Sequence, residues 1–280
     1  MAGTLYLVPT PLGNLGDISR RHAETREAVD FIAAEDTRVS IKLLNYLEIK
    51  KPLVSYHEHN KTGGGQRILE RLLIGEDCAL VTDAGTPAIS DPGEDLVRLC
   101  AENGVNVVSI PGPCAAITAL AVSGMPTGRF VFEGFLSVAR KSRFERLGEL
   151  KDEQRTMIFY EAPHKLVTTL TDMLEAWGDR TLCIARELTK LNEEVIRTTL
   201  KCALAHFEQV SPRGEFVLII EGAQPSAPEF SLADALERVA ALRASGMKLK
   251  EAARAVSEET GISRNEIYNA ALRNPEDGTD

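Results

Sequence analysis

ALVTDAGTPAISDPG, residues 79–93, opens as an apolar strand (Ala79, Leu80, Val81) and then turns to Asp83, Gly85, Thr86, Pro87, Ser90, Asp91, Pro92 and Gly93. Proline fixes φ and removes a donor, whereas glycine permits a positive φ or a close approach of backbone to a ligand. Such a stretch is either an ordinary strand-to-helix connection or a rigid cradle for a small molecule. The theme recurs along the first half of the chain. TLYLVPTPLGNLGDIS is a strand followed by a loop with Pro9, Pro11, Gly13 and Gly16; FIAAEDTR is a strand ending in Glu35, Asp36, Thr37 and Arg38; PLVSYHEHN ends in polar groups; and VNVVSIPGP ends in glycine and proline. Helical spacing lies between them at residues 19 to 33, at Ile41 to Leu47, in RILERLLIG and in DLVRLCAENG. Strands alternating with helices predict an α/β fold with a mostly parallel sheet, whose ligands collect at the carboxyl ends of the strands.

After Gly112 the pattern changes. CAAITALAVSG is a helix of small residues, RFVFEGFL is an aromatic-rich strand, and RTMIFYEAP, TLCIARELT, EVIRTTL and GEFVLIIEG supply further strands at hairpin-length spacing. A second, mixed sheet is expected. AQPSAPEF, residues 223 to 230, has linker composition. Beyond it SLADALERVAALRASG, LKEAARAVSEETG and ISRNEIYNAALR are amphipathic helices, the last opened by Ser263 with Glu266 three positions on. Their order suits a helix-turn-helix or a small packing module. The expected division is 1–112, 113–224, 228–274 and a disordered tail at 275–280.

The formal net charge of −9 argues against non-specific coating of nucleic acid but leaves room for a local basic face, such as the seven Lys/Arg against four Glu between Arg238 and Arg273. The five cysteines (Cys78, Cys100, Cys114, Cys183, Cys202) are odd in number and scattered, which suits thiols in a reducing cytosol better than disulfides or zinc ligands. The amino terminus lacks the look of a signal peptide and no apolar run reaches the length of a membrane span, so a cytoplasmic location without membrane contact is expected.

The common nucleotide fingerprints are absent. KTGGGQ, residues 61–66, reads as a mobile loop. His57, Glu58, His59 and Asn60 lack the supporting ligands of a metal site and read as a polar substrate wall; no metal is expected. SIPGPC, residues 109–114, leaves carbonyls but few N–H groups, which suits a ligand read by carbonyls and shape rather than one bearing phosphates. RELTKLNEE, residues 186–194, is a solvated helix start with ion pairs or part of a site. ARKSRFERL, residues 139–147, is a surface helix or a phosphate-contacting face.

Taken together, VPTPLGNLGDIS, AEDTR, SYHEHN, DAGTPAISDPG, the PGP with its following ITAL and SG, the GFL after two phenylalanines, FYEAPH and RELTK resemble, in order and spacing, the ribosomal RNA small subunit methyltransferase I family of the tetrapyrrole methylase superfamily. The resemblance covers residues 4 to 222 and, more loosely, the last helices. It implies transfer of a methyl group from S-adenosylmethionine to the ribose 2′-hydroxyl of a cytidine in the decoding region of small-subunit ribosomal RNA. It also implies two α/β domains with the cofactor between them, and a homodimer. Asp83, Ala84, Gly85, Thr86 and Pro87, with Gly112, Pro113 and Cys114, would surround the methionine part. Tyr160, Glu161, Ala162 and Leu188 map to the adenosine side, and Pro9 would close the cleft. The sequence departs from the family pattern at Cys114, Ser137, Lys165 and the glycines 63 to 65, none of them within DAGTP.

Methyl transfer from a sulfonium needs alignment and the removal of a proton from a weakly acidic hydroxyl. The candidate bases are Asp36, His57, Glu58, Glu187 and Lys190, with Asp36, Arg38, His57 and Glu58 expected to line the substrate side. Two rivals share the fold: a precorrin or uroporphyrinogen methyltransferase, and a non-catalytic RNA-binding assembly protein. AEDTR, YHEHN and the helical tail weigh against the first, and the complete cofactor motifs against the second.

Overall fold

The computed structural model describes residues 1–224 and 231–273. The expected tail at 275–280, and the expected linker beyond Gln224, lie outside the described residues. The chain divides into two compact units, Met1–Ala223 and Gln224–Asp280. Among the described residues, the strands of the first unit form two five-stranded sheets.

The first sheet takes β1 (Thr4–Leu7), β2 (Phe31–Ala34), β3 (Leu53–Ser55), β4 (Cys78–Val81) and β5 (Asn106–Ser109) in the order β3-β2-β4-β1-β5, all parallel. FIAA and CALV are buried at every position because β2 and β4 are covered on both faces. Alternate strand residues face opposite layers. Leu5, Phe31 and Leu80 pack on α3 (Lys61–Leu73) and α4 (Glu94–Glu102), whereas Ile32, Ala34 and Val81 pack towards α2 (Thr37–Tyr46). The helix predicted from residue 19 is shorter than its spacing suggested: α1 (Arg20–Ala28) stops where Val29 becomes extended, two residues before β2.

Two expectations are corrected here. The helix predicted at Ile41–Leu47 begins four residues earlier, because the Asp36 carboxylate accepts the Arg38 backbone N–H at 2.8 Å and caps α2. KTGGGQ is no loop but the first turns of α3. Gly64 and Gly65 are buried, and a β-carbon on Gly64 would stand 3.4 Å from the Tyr56 ring, so the glycines let this helix settle on that ring.

The second sheet orders β6 (Phe130–Phe135), β7 (Thr156–Glu161), β8 (Thr181–Arg186), β9 (Glu194–Thr199) and β10 (Phe216–Ile220) as β6-β7-β10-β8-β9, with β6 parallel to β7 and the other pairs antiparallel. One face packs against α5 (Ala115–Ser123). The other packs beneath α6 (Arg140–Glu149), α7 (Leu166–Trp177) and α8 (Leu200–Gln209). The first sheet ends at Ser109 and α5 belongs to the second layer, so the chain passes between sheets through SIPGPC.

ARKSRFERL is the helix α6, and its three arginines all stand in ion pairs, one of them inside the fold. Arg143 is buried, pairs with Asp172 at 2.6 Å and donates to the carbonyls of Ser137 and Val138; Arg146 binds Glu133 and Glu149; Arg140 binds Glu175. Arg143 is thereby unavailable to a phosphate, whereas Arg140 and Arg146 remain 66% and 45% exposed. RELTKLNEE forms no helix either. Its backbone turns through positive φ at Glu187 (51°) and Thr189 (66°).

The second unit is built from α9 (Leu232–Ala244), α10 (Leu249–Thr260) and α11 (Arg264–Arg273) around Ala235, Val239, Ala252, Ala253, Val256 and Ile267. A capping box between Ser231 and Asp234 starts α9, Gly261 at φ 71° ends α10, and α11 begins one residue after Ser263.

Candidate active site

At the carboxyl ends of β1, β4 and β7 lies a cleft enclosing ≈ 870 Å³ of empty space, its open mouth included. Its floor is the segment after β4. Gly85, at φ 77°, exchanges two backbone hydrogen bonds with Thr10 (2.8 and 2.9 Å), and the Thr86 hydroxyl donates to the Pro113 carbonyl at 2.7 Å. The three proline and glycine loops are thereby locked to one another. Behind them Gly112 packs so closely that a β-carbon would stand 2.7 Å from the His22 ring and 2.8 Å from Pro9. His22, whose imidazole pKa is lowered by burial, lies 2.9 Å from the Pro111 carbonyl, and the buried Arg26 donates to the Pro9 carbonyl at 2.8 Å. α1 thus fastens both the β1 and the β5 loops.

The two sheets meet across the cleft at two glycines. A β-carbon on Gly13 would stand 2.3 Å from Lys190 Cγ, and one on Gly134 would stand 2.9 Å from Ser90 Oγ. Gly134 sits at φ 62° in a register shift of β6, which brings that strand up to the ISDPG loop.

Of the residues assigned to the cofactor by resemblance, Ala84, Gly85, Thr86, Cys114, Tyr160, Glu161 and Ala162 line the cleft. Pro113 lends its carbonyl to Thr86, Pro9 and Gly112 stand in the layer behind, and Pro87 and Leu188 are buried. Asp83 lies at the rim, accepting the Asp36 backbone N–H at 3.2 Å.

The candidate bases separate into two places. Asp36 is clamped by Arg38 at 2.6 Å, and that hydrogen bonding holds its carboxyl down at about 2. The His57 backbone N–H donates to the Asn60 side-chain oxygen at 2.8 Å, while its buried Nδ1 has no hydrogen-bond partner among the described residues. Glu58 pairs with Lys61 at 2.7 Å. In the second sheet, Lys190 binds Glu187 at 2.8 Å and Glu215 at 3.0 Å. Burial works to lower the Lys190 ammonium pKa, and the two carboxylates outweigh it and raise it. The hydrogen bond from Lys190 lowers Glu187 in turn. Asp36, Glu58, Glu187 and Lys190 each stand in an ion pair.

The candidates omitted Asp91, Glu35 and Glu215, although Asp91 stands in the DAGTPAISDPG stretch itself. Asp91 lines the cleft, and burial pushes its carboxyl up to about 7, with Glu35 and Asp83 adding to the rise. Burial also raises Glu35 and Asp83. Three carboxylates (Asp91, Glu161, Glu215) line the cleft together with Leu12, Phe135, Tyr160 and Val217, and its lining includes no lysine, arginine or histidine. A cavity of this character suits a cationic or neutral ligand with an apolar ring and no phosphate. Among the described residues, no group of three or more His, Cys, Asp or Glu side chains is placed to hold a metal ion.

Residues 4–204 match the family model of the tetrapyrrole (corrin/porphyrin) methylases, and residues 231–274 match the RsmI C-terminal HTH domain. A ribosomal RNA small subunit methyltransferase I of Synechocystis is 48% identical over 278 residues, covering 99% of this chain and 100% of the relative. This chain belongs to the ribosomal RNA small subunit methyltransferase I family. The family's proteins from Escherichia coli O157:H7 and Bacillus subtilis are 45% and 44% identical, each covering 96% of this chain and 95% and 94% of their own. Solved structures share the methylase fold at low identity. A cobalt precorrin-4 methyltransferase has a TM-score of 0.59 at 18% identity, covering 78% of this chain and 94% of its own. A Thermus thermophilus uroporphyrin-III C-methyltransferase complexed with S-adenosylhomocysteine has 0.56 at 16%, covering 78% and 97%. As a member of the ribosomal RNA small subunit methyltransferase I family, the chain is a methyltransferase.

Proposed function

We propose that this chain transfers the methyl group of S-adenosylmethionine to the ribose 2′-hydroxyl of a cytidine in the decoding region of small-subunit ribosomal RNA, acting on the RNA or the assembled subunit in the cytoplasm. The observation that carries the cofactor assignment is the charge of the cleft: three carboxylates and no cation among its lining residues. S-adenosylmethionine would supply an electrophilic sulfonium methyl group and carries no phosphate. Gly85 and the small residues Ala84, Ala115 and Ala162 leave room for it, and Phe135 and Tyr160, 5.5 Å apart edge to face, offer an apolar wall for its ring. The interlocked Thr10, Gly85, Thr86 and Pro113 would hold it without rearrangement, which favours alignment.

The acceptor assignment rests on the family, whose relatives are named for ribosomal RNA. Exposed cations of the second unit, Arg243, Lys248, Lys250, Arg264 and Arg273, would be available for phosphate contacts. A homodimer is supported by α5. This uncharged, mostly apolar helix leaves Ile117 50% and Val122 39% exposed, a surface that a subunit interface would cover.

Titration calorimetry tests the cofactor reading. S-adenosylhomocysteine should bind at one site per chain and ATP should not. Binding of ATP in preference to S-adenosylhomocysteine would overturn it.

A further inference from the structure

We propose that the Asp91 carboxylate accepts the proton of the acceptor hydroxyl during methyl transfer, an assignment that rests on the methyl-transfer reading of the cleft. Three carboxylates line the cleft, and two are already engaged. Glu161 accepts the Thr169 hydroxyl and the Ala162 backbone N–H at 2.5 and 2.8 Å, and Glu215 binds Lys190 at 3.0 Å. Asp91, half-buried, has burial and the Glu35 and Asp83 charges acting on it, with no hydrogen bond and no cation to offset them among the described residues. A carboxylate left without a donor inside a cleft is costly for folding and is the kind of group that persists for a reaction.

The backbone that presents it is held on both sides. Ala88, Ser90 and Gly93 stand at φ 68°, 61° and 148°, a β-carbon on Gly93 would meet the Ala88 nitrogen at 3.0 Å, and Gly134 backs Ser90 from the second sheet. Non-glycine residues in the left-handed region persist only where their surroundings over-determine them. Facing Asp91 are Glu35 from the end of β2, Asp83 from the end of β4 and Tyr160 from β7, while Cys114 at the start of α5, Glu161 and Glu215 share the cleft. Two cations touch this set, Arg38 through Asp83 and Lys190 through Glu215, and neither pairs with Asp91 among the described residues. Burial first, then the Glu35 and Asp83 charges, bring the Asp91 carboxyl to about 7, where a general base is both ionised at working pH and basic enough to act.

In the step itself the hydroxyl oxygen forms its bond to the methyl carbon as the carbon–sulfur bond breaks. The electron pair of that bond stays on sulfur as a neutral thioether. The O–H proton passes to Asp91, which ends as the neutral acid, so charge and atoms balance.

The test is Asp91→Asn in the full chain, assayed on small ribosomal subunits with S-adenosylmethionine, together with calorimetric binding of S-adenosylhomocysteine. The expected result is a fall in kcat of about 100-fold or more, loss of the acid limb of the wild-type kcat/KM profile, and S-adenosylhomocysteine affinity within about threefold of wild type. The preserved affinity also shows that the variant folds. A variant that keeps its kcat or its acid limb overturns the proposal, as does one whose cofactor affinity falls in step with kcat, because Asp91 would then hold the cofactor and not the proton. Absence of methyl transfer by the wild type, with cofactor binding intact, overturns the acceptor reading beneath it and this assignment with it.

Discussion

Ser90 and Gly134 come from different sheets and meet so closely that a β-carbon on the glycine would stand 2.9 Å from the serine hydroxyl oxygen. The contact is what lets the loop carrying Asp91 close one side of the cleft. Gly134→Ala combines a positive φ of 62° with this overlap. The expected outcome is a loss of about 1–2 kcal/mol of stability and weaker binding of S-adenosylhomocysteine, read by thermal unfolding and calorimetry. Gly148→Ala, within α6 with nothing near its would-be β-carbon, is the control and should stabilise by about 0.4–1 kcal/mol.

Gly112→Ala tests the layer behind the cleft. Here the new methyl meets the His22 ring, which α1 carries and which is held against the Pro111 carbonyl, and Pro9 on the other side, so neither neighbour can step away cheaply. A destabilisation of about 1–3 kcal/mol is expected, visible as a lowered denaturant midpoint. An unchanged midpoint would show that the β1 and β5 loops are not packed as described.

The pH dependence of stability gives a reading of Asp91 that needs no substrate. Its carboxyl titrates at about 7 in the folded protein against 3.8 for the free group, so the folded state binds the proton more tightly. The associated stability is fully present below about pH 4 and is lost as pH rises through 7. Asp91→Asn cannot ionise, so its Tm should gain on that of wild type between pH 4 and pH 7. A difference that stays constant over that range would contradict the shifted carboxyl.

Much of the architecture was legible because its core strands are short apolar runs: FIAA, CALV and FVLII are buried end to end, and composition alone marks them. Asp36 was harder to place, since a polar residue after a strand and a helix N-cap look alike until the Arg38 N–H is seen to bond back. The glycines at 63 to 65 read as a loop because the residue they accommodate, Tyr56, becomes a neighbour only in the fold. The partner that Lys190 takes besides Glu187 could not be read locally, because Glu215 lies 25 residues away along the chain. Asp91 went unremarked as a base for the same reason. Its basicity comes from burial and from Glu35 and Asp83, and its own segment carries none of that information.

The helical unit at the carboxyl end should serve the RNA and not the cofactor. α9, α10 and α11 enclose their own core, and Met1–Ala223 contains every residue lining the cleft. Deleting residues 227 to 280 is expected to leave S-adenosylhomocysteine affinity unchanged and to weaken binding to small subunits, with a shallower dependence of that binding on salt. Full activity of the truncated chain on the ribosomal substrate would contradict this role.

The most direct measurement is transfer of labelled methyl from S-adenosylmethionine to small ribosomal subunits taken from cells that lack this protein, followed by nucleoside analysis. The expected product is 2′-O-methylcytidine at a single site. Labelling of a base, of another nucleotide, or of no ribosomal component while S-adenosylhomocysteine still binds would contradict the proposed acceptor.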